Sequence, residues 1–419
     1  MCVSPDVTEA SKPAPTGRVI LLADAAVDAM GTSCAPAAVV VDNDRIEAVG
    51  NPADIGASLD VPRVDLSGRI LLPGLVNAHS HIDLSGPGPL PPDSDFRRWL
   101  GGVRRIRSES SAADRTVATT RGLQLLRAGG TVAVGDIVGH PSGEALDVLL
   151  DSTMRGVAFV EVFGLGPQQS ETVNRLLGLS KQYPQRRRMR LGCSPHAPYS
   201  CGPDVFGAAD ATGLPVATHL AESAAEQALL EHGTGALRDL LVDDVGIPAE
   251  SLPRLPEHAV TFLAPYLHGA LCVHLNCIDS EHADTLASIG AVACLCPRAT
   301  VYFGRDVPGP MPLLRAAGVP IVLGTDALLC LDTPNRISVL DDMRLLHRVN
   351  AAAPLDLLAM GTTAAASAIG VEPNLVDLRP GPSAGLISLP LYGRGLRAEE
   401  ALRCIFESDA APRWAIGPT

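Results

Sequence analysis

Lysine is nearly absent from this chain of 419 residues. Its lysine and arginine residues number 33, and only Lys12 and Lys181 among them are lysines. Neither lysine ends an apolar run of strand length. A metal centre bridged by a carboxylated lysine is therefore excluded.

The sequence also lacks positive charge and long apolar runs. Its formal net charge is -13, whereas a nucleic-acid partner requires a basic face for the phosphates. No apolar run approaches the roughly 20 residues that span a bilayer. We therefore expect neither nucleic acid nor a membrane as a partner. Asp24 and Asp28 interrupt the apolar segment after Arg18, which argues against a cleaved leader.

The ten cysteines form no Cys-x-x-Cys pair, and Cys294 and Cys296 lie within an apolar run typical of a strand. A chain with 46% hydrophobic residues can build a large core, so it does not need a disulfide framework. This cysteine usage predicts a protein of the reducing cytoplasm.

Short β-type runs occupy both ends of the chain and predict a β-sandwich module assembled from residues 17–69 and 375–419. At the amino-terminal end, turn residues separate runs such as Val19–Leu22 and Ala38–Val41. At the carboxyl-terminal end, the runs are Leu375–Leu378 and Ala384–Leu391. Residues 1–16 are polar and rich in proline, and we expect them to be a disordered tail.

Residues 70–374 alternate between strand-like runs and helix-like stretches such as Arg115–Ala128, Ala224–Leu230 and Pro312–Ala317. Eight strands separated by helices predict an α/β fold, a TIM-like (β/α)8 barrel. The predicted strands are Ile70–Asn77, Thr131–Asp136, Gly156–Gly164, Met189–Pro195, Pro215–His219, Ala270–His274, Ala291–Leu295 and Pro320–Asp326.

Two histidines follow the first apolar run, in Leu71–His81. Residues i and i+2 of an extended segment point to the same side, so His79 and His81 can reach one metal ion. His219, His274 and Asp326 also end predicted strands, and in a (β/α)8 barrel chemistry takes place at these carboxyl ends.

Three imidazoles and one carboxylate suit Zn²⁺ or Fe²⁺ and leave a position for water. We predict one divalent metal, most simply Zn²⁺, held by His79, His81, His219 and Asp326. A divalent cation lowers the pKa of its water to about 7. Asp326 is positioned to accept the proton of that water.

Three further side chains follow predicted strands and are candidates for proton transfer or substrate contact. Glu222 opens the loop after His219, where a carboxylate can carry a proton to a leaving nitrogen. His274 either binds the metal or donates a hydrogen bond to the attacked centre. His196, in a loop stiffened by prolines, is interpreted as a substrate contact.

The remaining polar candidates carry weaker signals. Asp136 and Glu161 end or line the second and third strands, and the sequence assigns them no role. Glu226 is interpreted as a surface residue in the first turn of a helix. The other histidines lie in loops or helix-like stretches and are interpreted as structural: His140, His232, His258, His268, His282 and His347.

Several motifs resemble the amidohydrolase superfamily, specifically its branch of ring deaminases and chlorohydrolases. The resemblance runs from about Val19 to Leu391. The motifs are Pro73–His81, His196–Ser200, His219–Ser223, His274–Asn276 and Leu323–Asp326.

This resemblance implies a distorted (β/α)8 barrel, a flanking β-sandwich and one catalytic metal. In that branch the residues matching His79, His81, His219 and Asp326 hold the metal. The residue matching Glu222 shuttles protons, and the one matching His274 assists at the reacting centre. Hydroxide adds to a ring carbon that bears an amino group, and ammonia leaves. Dimers are common in the family, so a homodimer is possible.

Within the branch, the segments 81–85, 96–100 and 296–299 look most like aminodeoxyfutalosine deaminases, which belong to the futalosine route to menaquinone. Asp83, which stands where those enzymes tend to have Glu, is a candidate substrate contact. Arg298 is a candidate partner for a substrate carboxylate. Trp99 or Phe96 is a candidate for contact with a planar ring.

Three functions fit these features. The first is a metal-dependent deaminase of a small purine-nucleoside-like substrate such as aminodeoxyfutalosine. The second keeps the hydrolytic site but acts on another C–N or C–Cl bond, in guanine, S-adenosylhomocysteine, a triazine or an amide. The third is a non-catalytic assembly protein, against which the complete set of metal ligands argues.

Overall fold

We describe a computed structural model of the chain, which covers residues 17–55, 60–139, 143–183, 186 and 188–418. The expected tail at residues 1–16 and His140 lie outside the described residues. Within them, no helix is both long and apolar enough to cross a bilayer.

In the part of the chain that the structure describes, the strands belong to three sheets, one of mixed direction and two that are purely parallel. In chain order they are β1 (Arg18–Val27), β2 (Ser33–Cys34), β3 (Ala37–Asp42), β4 (Arg45–Gly50), β5 (Arg63–Pro73), β6 (Leu75–Ser80), β7 (Thr131–Val138), β8 (Arg155–Val162), β9 (Met189–Pro195), β10 (Ala217–Leu220), β11 (Leu271–His274), β12 (Val292–Leu295), β13 (Ile321–Leu323), β14 (Gly381–Pro382), β15 (Leu386–Pro390) and β16 (Arg413–Ile416).

Helices alternate with the parallel strands, as the sequence predicted for the stretches 115–128, 224–230 and 312–317. In chain order they are α1 (Pro52–Ile55), α2 (Phe96–Glu109), α3 (Ala112–Ala128), α4 (Glu144–Asp151), α5 (Gln169–Gln182), α6 (Pro203–Ala211), α7 (Ala224–His232), α8 (Ala236–Asp239), α9 (Ala259–Leu263), α10 (Ser280–Ser288), α11 (Pro297–Tyr302), α12 (Met311–Ala316), α13 (Val339–Arg348), α14 (Pro354–Met360), α15 (Thr363–Ala368) and α16 (Ala398–Phe406).

The two chain ends share one eight-stranded sheet, in the order β14-β4-β3-β1-β5-β15-β16 with β2 beside β1. Buried residues of six of its strands pack into one cluster that includes Leu21, Leu71 and Ile416, so the sheet curls over its own core. Leu375–Leu378 was predicted as a strand, which is wrong in part, because a short 3-10 helix occupies Pro373–Val376.

The other two sheets have the orders β6-β7-β8-β9 and β10-β11-β12-β13, and every pair within them is parallel. Parallel bridges join their edges, between Cys193 and Val216 on one side and between Ser80 and Asp326 on the other. The result is a curled, TIM-barrel-like arrangement whose strand ends meet around one centre.

The predicted first strand, Ile70–Asn77, is in fact divided between two sheets. Its first half belongs to β5, and its second half begins β6. Proline at position 73 cannot donate a ladder hydrogen bond. A Cβ at Gly74 would stand 2.2 Å from Val132 Cγ1. The chain therefore changes sheets at Pro73-Gly74, where only glycine fits against β7.

Candidate metal centre and active site

The end of β6 is fastened to the segment after β13. Asn77 donates to Thr325 Oγ1 (2.8 Å), and its side-chain oxygen accepts from the backbone N–H of Thr325 (3.2 Å). The carbonyl of His79 accepts from the amides of Thr325 and Asp326. These hydrogen bonds bring the pair His79 and His81 next to Asp326, about 250 residues later in the chain.

The four side chains predicted as metal ligands do converge. Nε2 of His81 lies 3.2 Å from Nε2 of His219. Asp326 Oδ1 lies 3.5 Å from His81 Nε2 and 3.8 Å from His79 Nε2. Two nitrogen ligands of a tetrahedral zinc site stand about 3.3 Å apart when Zn–N is ~2.05 Å. The spacing of the imidazole nitrogens therefore fits a shared cation.

The hydrogen bonds around the histidines leave their lone pairs free for that cation. His219 Nδ1 lies 2.9 Å from the carbonyl oxygen of His196, to which it donates, so Nε2 carries the lone pair. Both ring nitrogens of His79 and Nδ1 of His81 are buried without a hydrogen-bond partner. Burial lowers the pKa of His79 and His81 well below the usual range, which keeps both rings neutral.

Backbone strain concentrates around this centre. Non-glycine residues with positive φ include Ala221 (+50°), His274 (+74°), Leu275 (+55°) and Asp326 (+61°). Such conformations are uncommon for residues with a Cβ and cluster at functional sites. Each of these residues lies just after, or at the end of, a parallel strand, and the side chains of His274 and Asp326 line the centre.

Glu222 lies beside His274 and next to an arginine that sequence reasoning missed. Its Oε1 is 4.0 Å from His274 Nε2 and 3.8 Å from Arg305 Nη1. Burial raises the pKa of Glu222 to about 7, and the Arg305 guanidinium opposes that rise. Arg305 also lies over the rings of Phe96 and Phe303. No motif in the sequence marked it.

Glu226 is buried, so its interpretation as a surface residue is wrong. It is 1% exposed, and its two carboxylate oxygens accept from the backbone amides of Ala221 (3.0 Å) and Glu222 (2.9 Å). Burial raises the pKa of this carboxyl to about 8, against the pull of those amides. Its position one turn into an amphipathic helix gave no sign of this role.

A second missed arginine, Arg107 of α2, joins two carboxylates at the rim. Its Nη1 lies 2.9 Å from Glu161 Oε2, and its Nε lies 3.4 Å from Asp83 Oδ2. Gly139 leaves the room for the guanidinium, because a Cβ there would stand 1.9 Å from Arg107 Nη2. Asp83 and Glu161 are thus brought to the centre as ion-pair partners of the Arg107 guanidinium.

His196 and Asp136 have defined partners. His196 Nδ1 lies 2.6 Å from Ser200 Oγ, and its Nε2 lies 4.0 Å from Glu161. Asp136 accepts from Ser80 Oγ (2.6 Å) and from the amide of Ile82 (3.0 Å). Asp136 therefore holds the Ser80 side chain and the Ile82 backbone, on either side of His81.

Arg298 is not among the residues that line this centre, and its role as a substrate contact stays a prediction. Its side chain is 7% exposed, and its guanidinium pairs with Asp342 at 3.0 Å. Further bonds join it to Thr333 and to the carbonyl of Ser338. The residue therefore fastens α11 to the start of α13.

The centre opens into a cavity lined by apolar residues of α2 and by the polar cluster. Trp99, a predicted ring contact, lies in the apolar wall. The polar wall contains His81, Arg107, Glu161, His196, His219, Glu222, His274 and Asp326. The histidines interpreted as structural lie elsewhere in the described residues, for example His258 and His282, whose ring centroids are 3.8 Å apart with the rings tilted by 37°.

Comparison with known proteins gives a consistent result. The model of the amidohydrolase family matches residues 70–414. A 5-methylthioadenosine/S-adenosylhomocysteine deaminase of Symbiobacterium thermophilum is 28% identical over 83% of this chain and 79% of its own length. An aminodeoxyfutalosine deaminase of Deinococcus radiodurans is 27% identical over 75% and 78%, respectively.

Solved structures with the same fold have lower identity. Helicobacter pylori aminofutalosine deaminase in complex with methylthio-coformycin has a TM-score of 0.75, with 18% identity over 96% of this chain and 99% of its own. A Xanthomonas campestris adenosine deaminase with bound zinc has a TM-score of 0.72, with 20% identity over 97% and 93%, respectively.

Proposed function

Because this chain belongs to the amidohydrolase family, we propose that it is a metal-dependent deaminase of a purine-nucleoside-like substrate. The chain is a hydrolase of carbon–nitrogen bonds, like its relatives. The single observation that carries the finer proposal is the convergence of His79, His81, His219 and Asp326 beside Glu222 and His274. A hydrolytic deaminase needs both a cation site and a proton carrier in one cavity.

The proposed metal ligands are His79, His81, His219 and Asp326. Zn²⁺ is favoured and Fe²⁺ is the alternative, because both accept imidazole and carboxylate ligands. The cation supplies Lewis-acid activation of water near neutral pH.

The proposed reaction adds the oxygen of water to the ring carbon and breaks its bond to the amino nitrogen. Asp326 accepts a proton from the attacking water, and Glu222 delivers a proton to the departing nitrogen, which leaves as ammonia. His274 donates a hydrogen bond at the reacting centre. A carboxyl group with a pKa of about 7 exchanges protons readily near neutrality.

The substrate ring is proposed to lie against Trp99, with His196 and Asp83 as further contacts. The names of the two relatives suggest 5-methylthioadenosine, S-adenosylhomocysteine and aminodeoxyfutalosine as substrates to test. If the last is the substrate, the enzyme serves menaquinone formation. We propose the architecture of a (β/α)8 barrel over residues 70–374, flanked by a β-sandwich from 17–69 and 375–419.

The test is ammonia release, measured with protein of known metal content. We expect about one equivalent of Zn or Fe, and turnover of at least one compound among aminodeoxyfutalosine, 5-methylthioadenosine, S-adenosylhomocysteine and adenosine. Chelation should abolish turnover and added Zn²⁺ should restore it. Metal-loaded protein that releases no ammonia from these compounds or from guanine would refute the deaminase proposal.

Replacing Arg305 with methionine should shift the alkaline limb of kcat/KM to higher pH by about one unit. Its positive charge favours the ionised form of Glu222, so its removal raises the pKa of that carboxyl above about 7. More Glu222 is then protonated above pH 7, and activity that requires the protonated carboxyl persists to higher pH. Arg315→Met, which removes an exposed arginine paired with Asp356, is the matched control. An unshifted limb would contradict the role of Glu222.

A further inference from the structure

The loop of residues 221 and 222 joins β10 to α7, and all four of its backbone polar groups have partners. The amides of Ala221 and Glu222 donate to the carboxylate of Glu226 at 3.0 and 2.9 Å. The carbonyl of Ala221 accepts from the amide of Cys277 at 2.8 Å. The carbonyl of Glu222 accepts from Asn276 Nδ2 at 3.2 Å.

These hydrogen bonds determine a conformation that alanine alone would avoid. Ala221 has a φ of +50°, in the left-handed region that a Cβ disfavours. A strained residue persists only where its surroundings over-determine it. Fixing the direction of the Ala221 backbone also fixes the point from which the Glu222 side chain enters the cavity.

Glu226 does not serve as an ordinary helix cap. Ser223 caps α7 by accepting from the amide of Glu226 at 3.3 Å. In a capping box the third residue would return to the amide of the cap itself. Here the carboxylate reaches further back, to the two residues before Ser223, and it is buried. The Glu226 carboxylate therefore stabilises the loop of residues 221 and 222, and not the first turn of α7.

The partners on the other side of the loop belong to the turn that carries His274. Asn276 and Cys277 follow His274 and Leu275, both of which have positive φ. The backbone carrying Glu222 is therefore hydrogen-bonded directly to the backbone carrying His274. The two side chains end 4.0 Å apart.

We propose that Glu226 and Asn276 are positioning residues. They hold Glu222 beside His274, in the position from which Glu222 delivers its proton to the departing nitrogen. The inference rests on the proposed proton-carrying role of Glu222. Proton transfer demands heavy-atom distances within hydrogen-bond reach, and a displacement of about 1 Å costs ~100-fold in rate. Glu226 acts on the reaction only through the loop that it holds.

The first test is Glu226→Gln, assayed with 5-methylthioadenosine or whichever probe the wild type turns over. Glutamine keeps the shape but replaces one acceptor oxygen with an NH₂ donor, so one buried amide loses its partner. We expect kcat to fall about 100-fold, while KM and the metal content stay near those of the wild type. Glu231→Gln, on the same helix but partly exposed, is the matched control and should leave activity unchanged.

The second test is a double-mutant cycle with Glu222→Gln. If Glu226 acts through Glu222, adding Glu226→Gln to Glu222→Gln should lower kcat no further. A further fall of about 100-fold, or loss of metal in the single variant, indicates a general structural role and overturns the inference. Asn276→Ala gives the same cycle if Glu226→Gln does not fold.

The outcomes also separate this inference from the proposed function. If the metal-loaded wild type releases no ammonia, the proposed function fails and the inference fails with it. If the wild type releases ammonia but Glu222→Gln retains full activity, another group carries the proton, and the inference fails while the deaminase proposal stands. If the wild type and Glu222→Gln behave as proposed but Glu226→Gln and Asn276→Ala match the wild type, the inference alone fails.

Discussion

Replacing His219 with alanine is expected to remove the metal and lower kcat/KM by at least about 1,000-fold. The Nε2 of His219 lies 3.2 Å from that of His81, so its loss opens the cation site on one side. The remaining candidates, two imidazoles and one carboxylate, would bind the ion more weakly. Metal analysis after dialysis and the rate of ammonia release measure the two effects.

His232→Ala is the control for that variant, because His232 lies on the neighbouring helix α7 with its side chain 69% exposed. It should keep both metal and activity. Full metal content in His219→Ala would show that His219 is not a metal ligand. The metal ion would then be held by a different set of residues.

Replacing Glu222 with glutamine is expected to lower kcat by about 10²- to 10⁴-fold without loss of metal. The amide keeps the shape of the side chain but cannot carry a proton. The neighbours of the Glu222 carboxylate are His274 and Arg305, and Glu222 is not one of the proposed metal ligands. The variant should therefore keep its bound metal ion. The measurement is single-turnover ammonia release alongside metal content.

Glu250→Gln, at an exposed glutamate in a short 3-10 turn, is the control for Glu222→Gln. Wild-type kcat in Glu222→Gln would show that another group carries the proton. Together with His219→Ala, the result separates the metal requirement from the proton requirement.

Strand ends were the features that sequence reasoning located well. Each of the eight apolar runs predicted for residues 70–374 contains a strand, and polar residues after the runs converge, as His79 and Asp326 illustrate. Runs of this kind are local, and parallel strands place their carboxyl ends at one edge. A polar residue that directly follows a strand-like run could therefore be predicted to lie at the carboxyl edge of the sheet.

Where the structure adds to or departs from the expectations drawn from the sequence, the difference concerns the partner of a charged group. Arg298 reads as a possible anion contact, but Asp342, 44 residues later, binds it. Glu226 looks like a surface residue, but it turns inward to two amides. Arg107 and Arg305 carry no local signal, and only the fold brings them to carboxylates. Ion-pair and hydrogen-bond partners that are far apart in the sequence cannot be inferred from the spacing of residues along the chain.

The sequence by itself determined the order of strands and helices, the candidate metal ligands and the family resemblance, because these depend on local patterns of residues. The tertiary structure decided which charges neutralise one another, where the chain passes from one sheet to the next at Pro73-Gly74, and how the loop of Glu222 is held. Those features depend on distances between segments remote in sequence, which become defined only when the chain packs.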